Sequence, residues 1–453
     1  MNQKGRFLEI LNNKNVDYKK EMVAGITTFL TMAYIIAVNP SILSATGMDK
    51  GALVTATCLA AGLTTILMGV FANLPFALAS GMGLNAYFAY TVVGQGGVSW
   101  KIALTAVFVE GIIFILLSLF KVREAVVNSI PMTMKHAVTA GIGIFIAFIG
   151  LQGANIVVSD KATLVALGEF ASPTVIITFV GLIIIAVLDK KGIKGSILFG
   201  ILASTLFAWG YALFDKAAAA DFGIYLPSGI FKFESIAPIA NQIDYGYIFN
   251  SKTIVSFLTV VITFLFVDFF DTIGTLVGVC SKAKMLDKDG KVPNAGKALL
   301  VDAIGTTGGA LLGVSTTTTF VESSTGVLAG GRTGWTAVTT GVLFLLAMFF
   351  SPIFIAIPSC ATAPALIYVG YLMLGAVKEI DFNDITESLP AFITIIVMPL
   401  TYSIGDGLML GVISYVLINL LNNLFFSKGE KKKISWVMII LAITFVLKLF
   451  ILG

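Results

Sequence analysis

Apolar runs of roughly 17 to 25 residues, the length that carries a helix across a bilayer, recur from Met22 to Leu452 with polar breaks between them. Runs of that length and number exclude a soluble core and point to an all-α integral membrane protein. Composition agrees, since 12% of the 453 residues are charged against about 25% in ordinary soluble domains. The first run follows Lys14, Lys19 and Lys20 and leads directly into further runs, so it reads as the first membrane helix and not as a cleaved leader.

The runs fall near 22–40, 52–72, 76–93, 101–120, 136–151, 173–188 and 194–214. After a polar connection at 215–252 they resume near 254–279, 296–313, 315–332, 334–356, 362–377, 388–404 and 406–426. This predicts fourteen transmembrane segments, seven plus seven. With a cytoplasmic N-terminus, the opposite side receives only Lys50, Lys101, Lys161, Lys216, Lys232 and Lys252, while the remaining basic clusters up to Lys433 stay inside, as the positive-inside rule asks. An odd number of spans per half inverts the second half relative to the first. Corresponding ends resemble each other weakly: Pro173 is followed by Gly195 and Gly200, and Pro390 by Gly407 and Gly411. Inverted repeats of this kind place a solute site near the midplane, at interrupted helices.

Interruption is expected in spans 3 and 10. Pro75, Gly81 and Gly83 break the first; Ser315 and the tract Thr316 to Thr319 precede Glu322-Ser323-Ser324 in the second. β-branched residues favour extended backbone, so each span is read as a short strand plus a half-helix, with Asn85 or Ser323 as the capping residue.

Carboxylates inside a bilayer are costly and mark function by default. Asp268, Asp271 and Glu322 fall in membrane segments. Asp268 and Asp271 share a helix face and approach within about 5–6 Å, close enough to share a proton in a poorly hydrated site. Glu110, with no polar cluster beside it in sequence, reads as structural. Cys58, Cys280 and Cys360 lack metal-like spacing and read as small packing residues without a disulfide. His136 starts a span and reads as interfacial.

Four motifs in order carry a resemblance: Gly25 to Tyr34, Gly81 to Tyr87, Val267 to Leu276, and Thr316 to Gly326. Together they resemble the AzgA-like purine permeases of the nucleobase-cation symporter-2 group, over roughly residues 15–427. The resemblance implies a core domain (22–120 and 254–356) and a gate domain (136–214 and 362–426) that move a purine together with protons, guanine or hypoxanthine being favoured. The functional positions it implies are Gly83, Asn85, Asp268, Asp271 and Glu322. A carboxylate accepts two parallel hydrogen bonds from guanine's N1–H and exocyclic amine, which suits Glu322. Ser323 lies beside it, and Phe320, Phe269, Phe270 or Tyr87 are candidate stacking faces. The apolar run 434–452, with Lys448, lies beyond the resemblance and is expected to be dispensable for transport.

The partners expected are a purine nucleobase and the lipid bilayer, with no cofactor beyond the coupling proton; a homodimer is compatible with the sequence. The net charge of +4 comes from cytoplasmic loops, which excludes nucleic-acid binding. Three alternatives compete. An inorganic-anion carrier of the same architecture is opposed by the carboxylates, a channel by the clustering of polar groups at broken helices, and a membrane enzyme by the want of a nucleophile–base pair or metal set. An adenine-preferring permease of the same group stays open.

Overall fold

Backbone in a bilayer has no water to bond to, so each crossing segment must satisfy its own N–H and C=O groups. The computed structural model describes residues 16–119, 130–248, 254–282, 285, 292, 294–425 and 432–452. The first half runs α1 (Tyr18–Met32), α2 (Ile35–Leu43), α3 (Lys50–Leu67), strand β1 (Leu78–Ser80), the half-helix α4 (Met82–Ala86), α5 (Trp100–Leu119), α6 (Met132–Gly153), a hairpin of β2 (Val157–Asp160) and β3 (Leu164–Leu167), α7 (Pro173–Lys190) and α8 (Ser196–Phe214). The second half runs α9 (Ile254–Lys282), α10 (Ala295–Leu312), β4 (Thr317–Thr319), the half-helix α11 (Ser323–Leu328), α12 (Gly334–Ala347), α13 (Ser359–Leu374), α14 (Ile385–Thr401), α15 (Ile404–Phe425) and a final α16 (Trp436–Leu452). Among the described residues, eight helical stretches are long and apolar enough to cross a membrane. The chain is a multi-pass membrane protein.

Helix starts follow local chemistry. Asp17 and Asp49 accept the N–H groups of Lys20 and Ala52 at 3.2 and 2.7 Å, Thr333 and Asp384 do the same for α12 and α14, and Pro173 occupies the first turn of α7, where no N–H is needed. Ala33 and Tyr34 interrupt the first crossing. There the N–H groups of Ile36 and Ala37 bond three residues back, to Ala33 and Tyr34, both at 3.1 Å.

Spans 3 and 10 are broken as expected, and their strands meet. β1 pairs antiparallel with β4 in the register Leu78 to Thr319, Ala79 to Thr318 and Ser80 to Thr317. Phe320 N–H donates to Ala77 O at 2.9 Å, and Gly81 N–H to Thr316 O at 3.0 Å, so the ladder extends one step at each end. A two-stranded ribbon at membrane depth survives because protein surrounds it, and every residue of both strands is buried. The expected caps differ. Asn85 lies inside α4, whose first position follows Gly81, and Glu322 occupies the position before α11, with no side-chain cap bond.

Packing separates the helices. α3 and α1 pack on α12, α5 on α10 and α9, and α1 on α11; elsewhere α6 packs on α13 and α14, α13 on α7 and α8, and α14 on α15. Small residues make these approaches close. A Cβ on Gly62 would lie 3.0 Å from Gly341 O, and one on Gly143 would lie 2.8 Å from Gly370 O, the way backbones approach in lipid. The α6–α7 hairpin was not foreseen from the sequence. The tail forms α16, which lays Met438, Leu441, Ala442 and Phe445, all buried, against its surroundings and packs on α15.

Candidate functional site

Each of the paired strands leads into a half-helix, and polar side chains surround them. Glu322, half-buried at the entry to α11, receives the hydroxyl of Tyr34 on Oε1 at 2.5 Å. Tyr34 is fully buried and sits at the break between α1 and α2. The same helix pair is joined one turn away, where Thr31 and Thr325 hydroxyls lie 2.9 Å apart and Thr325 donates to Glu322 O at 2.7 Å. Ser323 does not cap. Its hydroxyl receives Ala77 N–H at 2.9 Å, tying the start of α11 to the residue before β1. The N–H groups of Ser323, Ser324 and Thr325 turn back on Phe320, Val321 and Glu322 carbonyls at 2.9 to 3.1 Å. Those amides are therefore engaged within the turn.

Asn85 is engaged at both ends of its amide. Ser80 Oγ donates to its Oδ1 at 2.7 Å, its Nδ2 donates to Asn39 Oδ1 at 2.7 Å, and Asn39 in turn donates to Thr57 Oγ1 at 2.7 Å. All four residues are buried. This network fixes β1 and α4 against α2 and α3. Gly83 serves an approach: a Cβ there would lie 2.6 Å from Ile142 Cγ2 on α6. Of the candidate stacking rings, Phe320 is 5% exposed and Tyr87 is 4% exposed, Tyr87 meeting Phe264 edge-on at 4.9 Å. Phe269 stacks on Phe114 at 6.2 Å. Phe270 and Asp271 lie on α9, and their side chains fall outside the described residues.

The second carboxylate group lies on α9 and α10, and α9 packs against both β4 and α11. Thr272 Oγ1 reaches Asp268 Oδ1 at 3.2 Å and both oxygens of Asp302 at 3.1 Å. Asp268 and Asp302 are fully buried. Sequence reasoning missed Asp302, although an aspartate in the apolar stretch Leu299 to Ile304 carried the same signal as Asp268. Glu110, read from the sequence as structural, has a polar partner in the fold. That fully buried carboxylate accepts Thr316 Oγ1 at 3.1 Å, so the threonine tract supplies the polar neighbour that the linear sequence does not show. A separate open groove of about 600 Å³, lined by Phe231, Phe233, Leu346, Phe349 and Phe350 with Lys232, contains none of these carboxylates.

Comparison with known proteins gives the family and the fold. The Permease family model Xan_ur_permease matches residues 19–410. A putative permease of Methanocaldococcus jannaschii is 47% identical over 95% of this chain and 94% of its own length. The guanine/hypoxanthine permease PbuO of Bacillus subtilis is 42% identical over 98% and 99%, and the adenine permease AdeQ of Escherichia coli 39% identical over 95% and 93%. Among solved structures, the transmembrane domain of the cyanobacterial bicarbonate transporter BicA superimposes with a TM-score of 0.65 at 17% identity, covering 89% of this chain and 98% of that one. At that identity the likeness concerns the fold.

Proposed function

The chain belongs to the Permease family (Xan_ur_permease) and is a nucleobase transporter of the membrane, not an enzyme; from that premise we propose that it imports guanine or hypoxanthine by proton symport. The observation that carries this reading is the buried Tyr34 hydroxyl on Glu322 Oε1, which keeps an intramembrane carboxylate as an acceptor at the start of a half-helix. A carboxylate has about four acceptor sites, so one bond to Tyr34 leaves room for the N1–H of hypoxanthine, or for N1–H and the amine of guanine. Asp268 and Asp302, sharing Thr272, are the place for the coupled proton, with Asp271 on the same helix. Asn85, Ser323 and Gly83 act by holding the half-helices in position, and Phe320 stands beside them. No cofactor is needed beyond the proton.

In this reading the chain crosses the cell membrane fourteen times from a cytoplasmic N-terminus, as a 7+7 inverted repeat. The core domain comprises α1 to α5 with α9 to α12, and the gate comprises α6 to α8 with α13 to α15. The packing partners of each helix support that division. An inorganic anion fits less well, because Glu322, Asp268, Asp302 and Glu110 gather around the interrupted helices and would repel it.

The test is competition for radiolabelled hypoxanthine uptake, in cells lacking their own carriers, by guanine, adenine, xanthine and uracil. Guanine and hypoxanthine should compete strongly and a protonophore should abolish accumulation. Preferential competition by adenine would reassign the substrate, and uptake unaffected by a protonophore would exclude proton symport.

A further inference from the structure

We propose that Tyr34 is a positioning residue for the substrate carboxylate: its buried hydroxyl fixes Glu322 in the orientation that receives a purine N–H edge. The inference rests on the reading of Glu322 as the substrate acceptor and adds a residue to it.

Glu322 precedes a half-helix of six residues and makes no cap bond to that helix. An unheld glutamate there has three rotatable bonds and several staggered orientations, so few of its states would face a flat base correctly. Tyr34 removes that freedom. Its ring is fully buried, its own backbone lies at the α1–α2 break, and its oxygen is 2.5 Å from Oε1, a length typical of a hydroxyl on a charged acceptor. A tyrosine has two side-chain torsions and its ring is gripped by packing, so the donor is itself pre-positioned. Ala24, Thr28 and Thr31 lie on the same helix face at three- and four-residue spacing. A Cβ on Gly326 would lie 2.7 Å from Ala24 O, and Thr31 meets Thr325. These contacts dock α1 on α11, and Tyr34 alone among those described here reaches the Glu322 carboxylate.

The experiment uses the full-length protein in detergent, with guanine or hypoxanthine binding measured by calorimetry and folding monitored by melting temperature. Tyr34→Phe, which deletes the hydroxyl and keeps the ring, should weaken binding about tenfold or more, the usual effect of losing a hydrogen bond to a charged group. Thr31→Val, which removes a neighbouring contact of the same helix pair, should leave affinity within about twofold, because it does not touch the carboxylate. In a Glu322→Gln background Tyr34→Phe should change affinity by less than about twofold, since the group it orients is gone. Unchanged affinity in Tyr34→Phe overturns the proposal, as does an equal loss in Thr31→Val or full additivity with Glu322→Gln. Each of these leaves the Glu322 reading standing. A parent protein that binds no purine, or a Glu322→Gln variant that binds as the parent does, removes the reading and this inference together.

Discussion

Thr65 and Thr306 perform the same task in the two halves of the chain. Thr65 Oγ1 donates to Leu78 O at 3.0 Å and accepts Leu78 N–H at 2.9 Å; Thr306 Oγ1 donates to Thr317 O at 3.1 Å and accepts Thr317 N–H at 3.3 Å. Leu78 and Thr317 are the first residues of β1 and β4. A lone pair of strands leaves one edge of each without a partner, and in a dry interior that edge must be bonded. A single hydroxyl on the neighbouring helix satisfies both backbone groups. The device repeats across an antiparallel pairing centred on Ala79 and Thr318, as the proposed two-fold relation between the halves requires.

Thr65→Val should therefore destabilise the protein without touching any proposed substrate group. It leaves one N–H and one C=O buried without their partner, each costing about 1 to 3 kcal/mol. The expected result is a clear drop in melting temperature, largely restored in Thr65→Ser, which keeps the hydroxyl. Thr306→Val should behave alike, and a marked difference between the two would argue against equivalent roles.

How much of this was legible in the sequence depends on range. Helix positions followed from apolar run length, and the broken spans from Pro75, Gly81 and the threonine tract, because these are local signals. The Tyr34–Glu322 bond joins residues 288 apart in sequence, and the Glu110–Thr316 bond joins residues 206 apart, so no window of sequence shows either. Asp302 was visible as an aspartate among Leu299, Leu300, Val301 and Ala303, yet its importance comes from sharing Thr272 with Asp268. Asn85 looked like a cap from its residue type; the pairing of Ser80 with Thr317 instead places it beside Asn39.

The C-terminal clamp makes a prediction about pH. Lys432 Nζ lies 2.9 Å from Asp384 Oδ2 and 2.7 Å from Glu387 Oε1. The hydrogen bond from Lys432, aided by Thr386, holds the Asp384 carboxyl below its usual range. Burial works against the Lys432 charge, but its bonds to Glu387 and Asp384 hold its pKa above the usual value. The Asp384 contribution is present above the unfolded carboxylate pKa of about 3.9 and is lost as pH falls through the lower folded value; the Lys432 contribution is present below about 10.4 and is lost as pH rises through the higher one. Parent and Lys432→Met should thus differ most in melting temperature between those limits and converge in acid. Truncation after Lys428 removes the clamp and α16 together. It should lower the melting temperature and leave transport by the inserted protein in place, as uptake in vesicles would show.

The proposed division into core and gate can be tested at a seam between α14 and the segment after α4. Tyr402, at φ 58°, is a bulky residue in the left-handed region, a conformation that persists only when its surroundings enforce it. Thr91 Oγ1 donates to Tyr402 O at 2.8 Å, Gln95 Nε2 to Thr401 O at 3.1 Å, and the Tyr402 ring meets Tyr90, Phe145 and Phe148 at 5.4 to 5.8 Å. The three native cysteines are buried, so Gln95→Cys with Thr401→Cys can be joined selectively by a short bifunctional thiol reagent. Joining should abolish uptake, whereas each single variant treated alike should transport. Transport undiminished in the joined protein would mean that the seam does not open.

Glu322 and Asp268 should fail in different ways, because in the proposed function one receives the substrate, while the other shares the Thr272 hydroxyl with a second carboxylate. Glu322→Gln can turn an NH₂ donor toward the base's N–H, and it also loses the charge that receives Tyr34. The expected loss in affinity is about 1 to 3 kcal/mol, the range for a buried charge-assisted bond. Asp268→Asn keeps a side chain that Thr272 can still bond, but it removes one of the two carboxyls that share the Thr272 hydroxyl. Binding should persist while accumulation driven by a proton gradient disappears, and Asp302→Asn should share that phenotype if the pair works as a unit. Calorimetry and gradient-driven uptake on purified variants in vesicles decide the matter. Normal binding by Glu322→Gln would sink its role as the substrate acceptor. Concentrative uptake by Asp268→Asn would move the coupled proton elsewhere, to Asp302 alone if Asp302→Asn is then the only one of the two that fails to accumulate substrate.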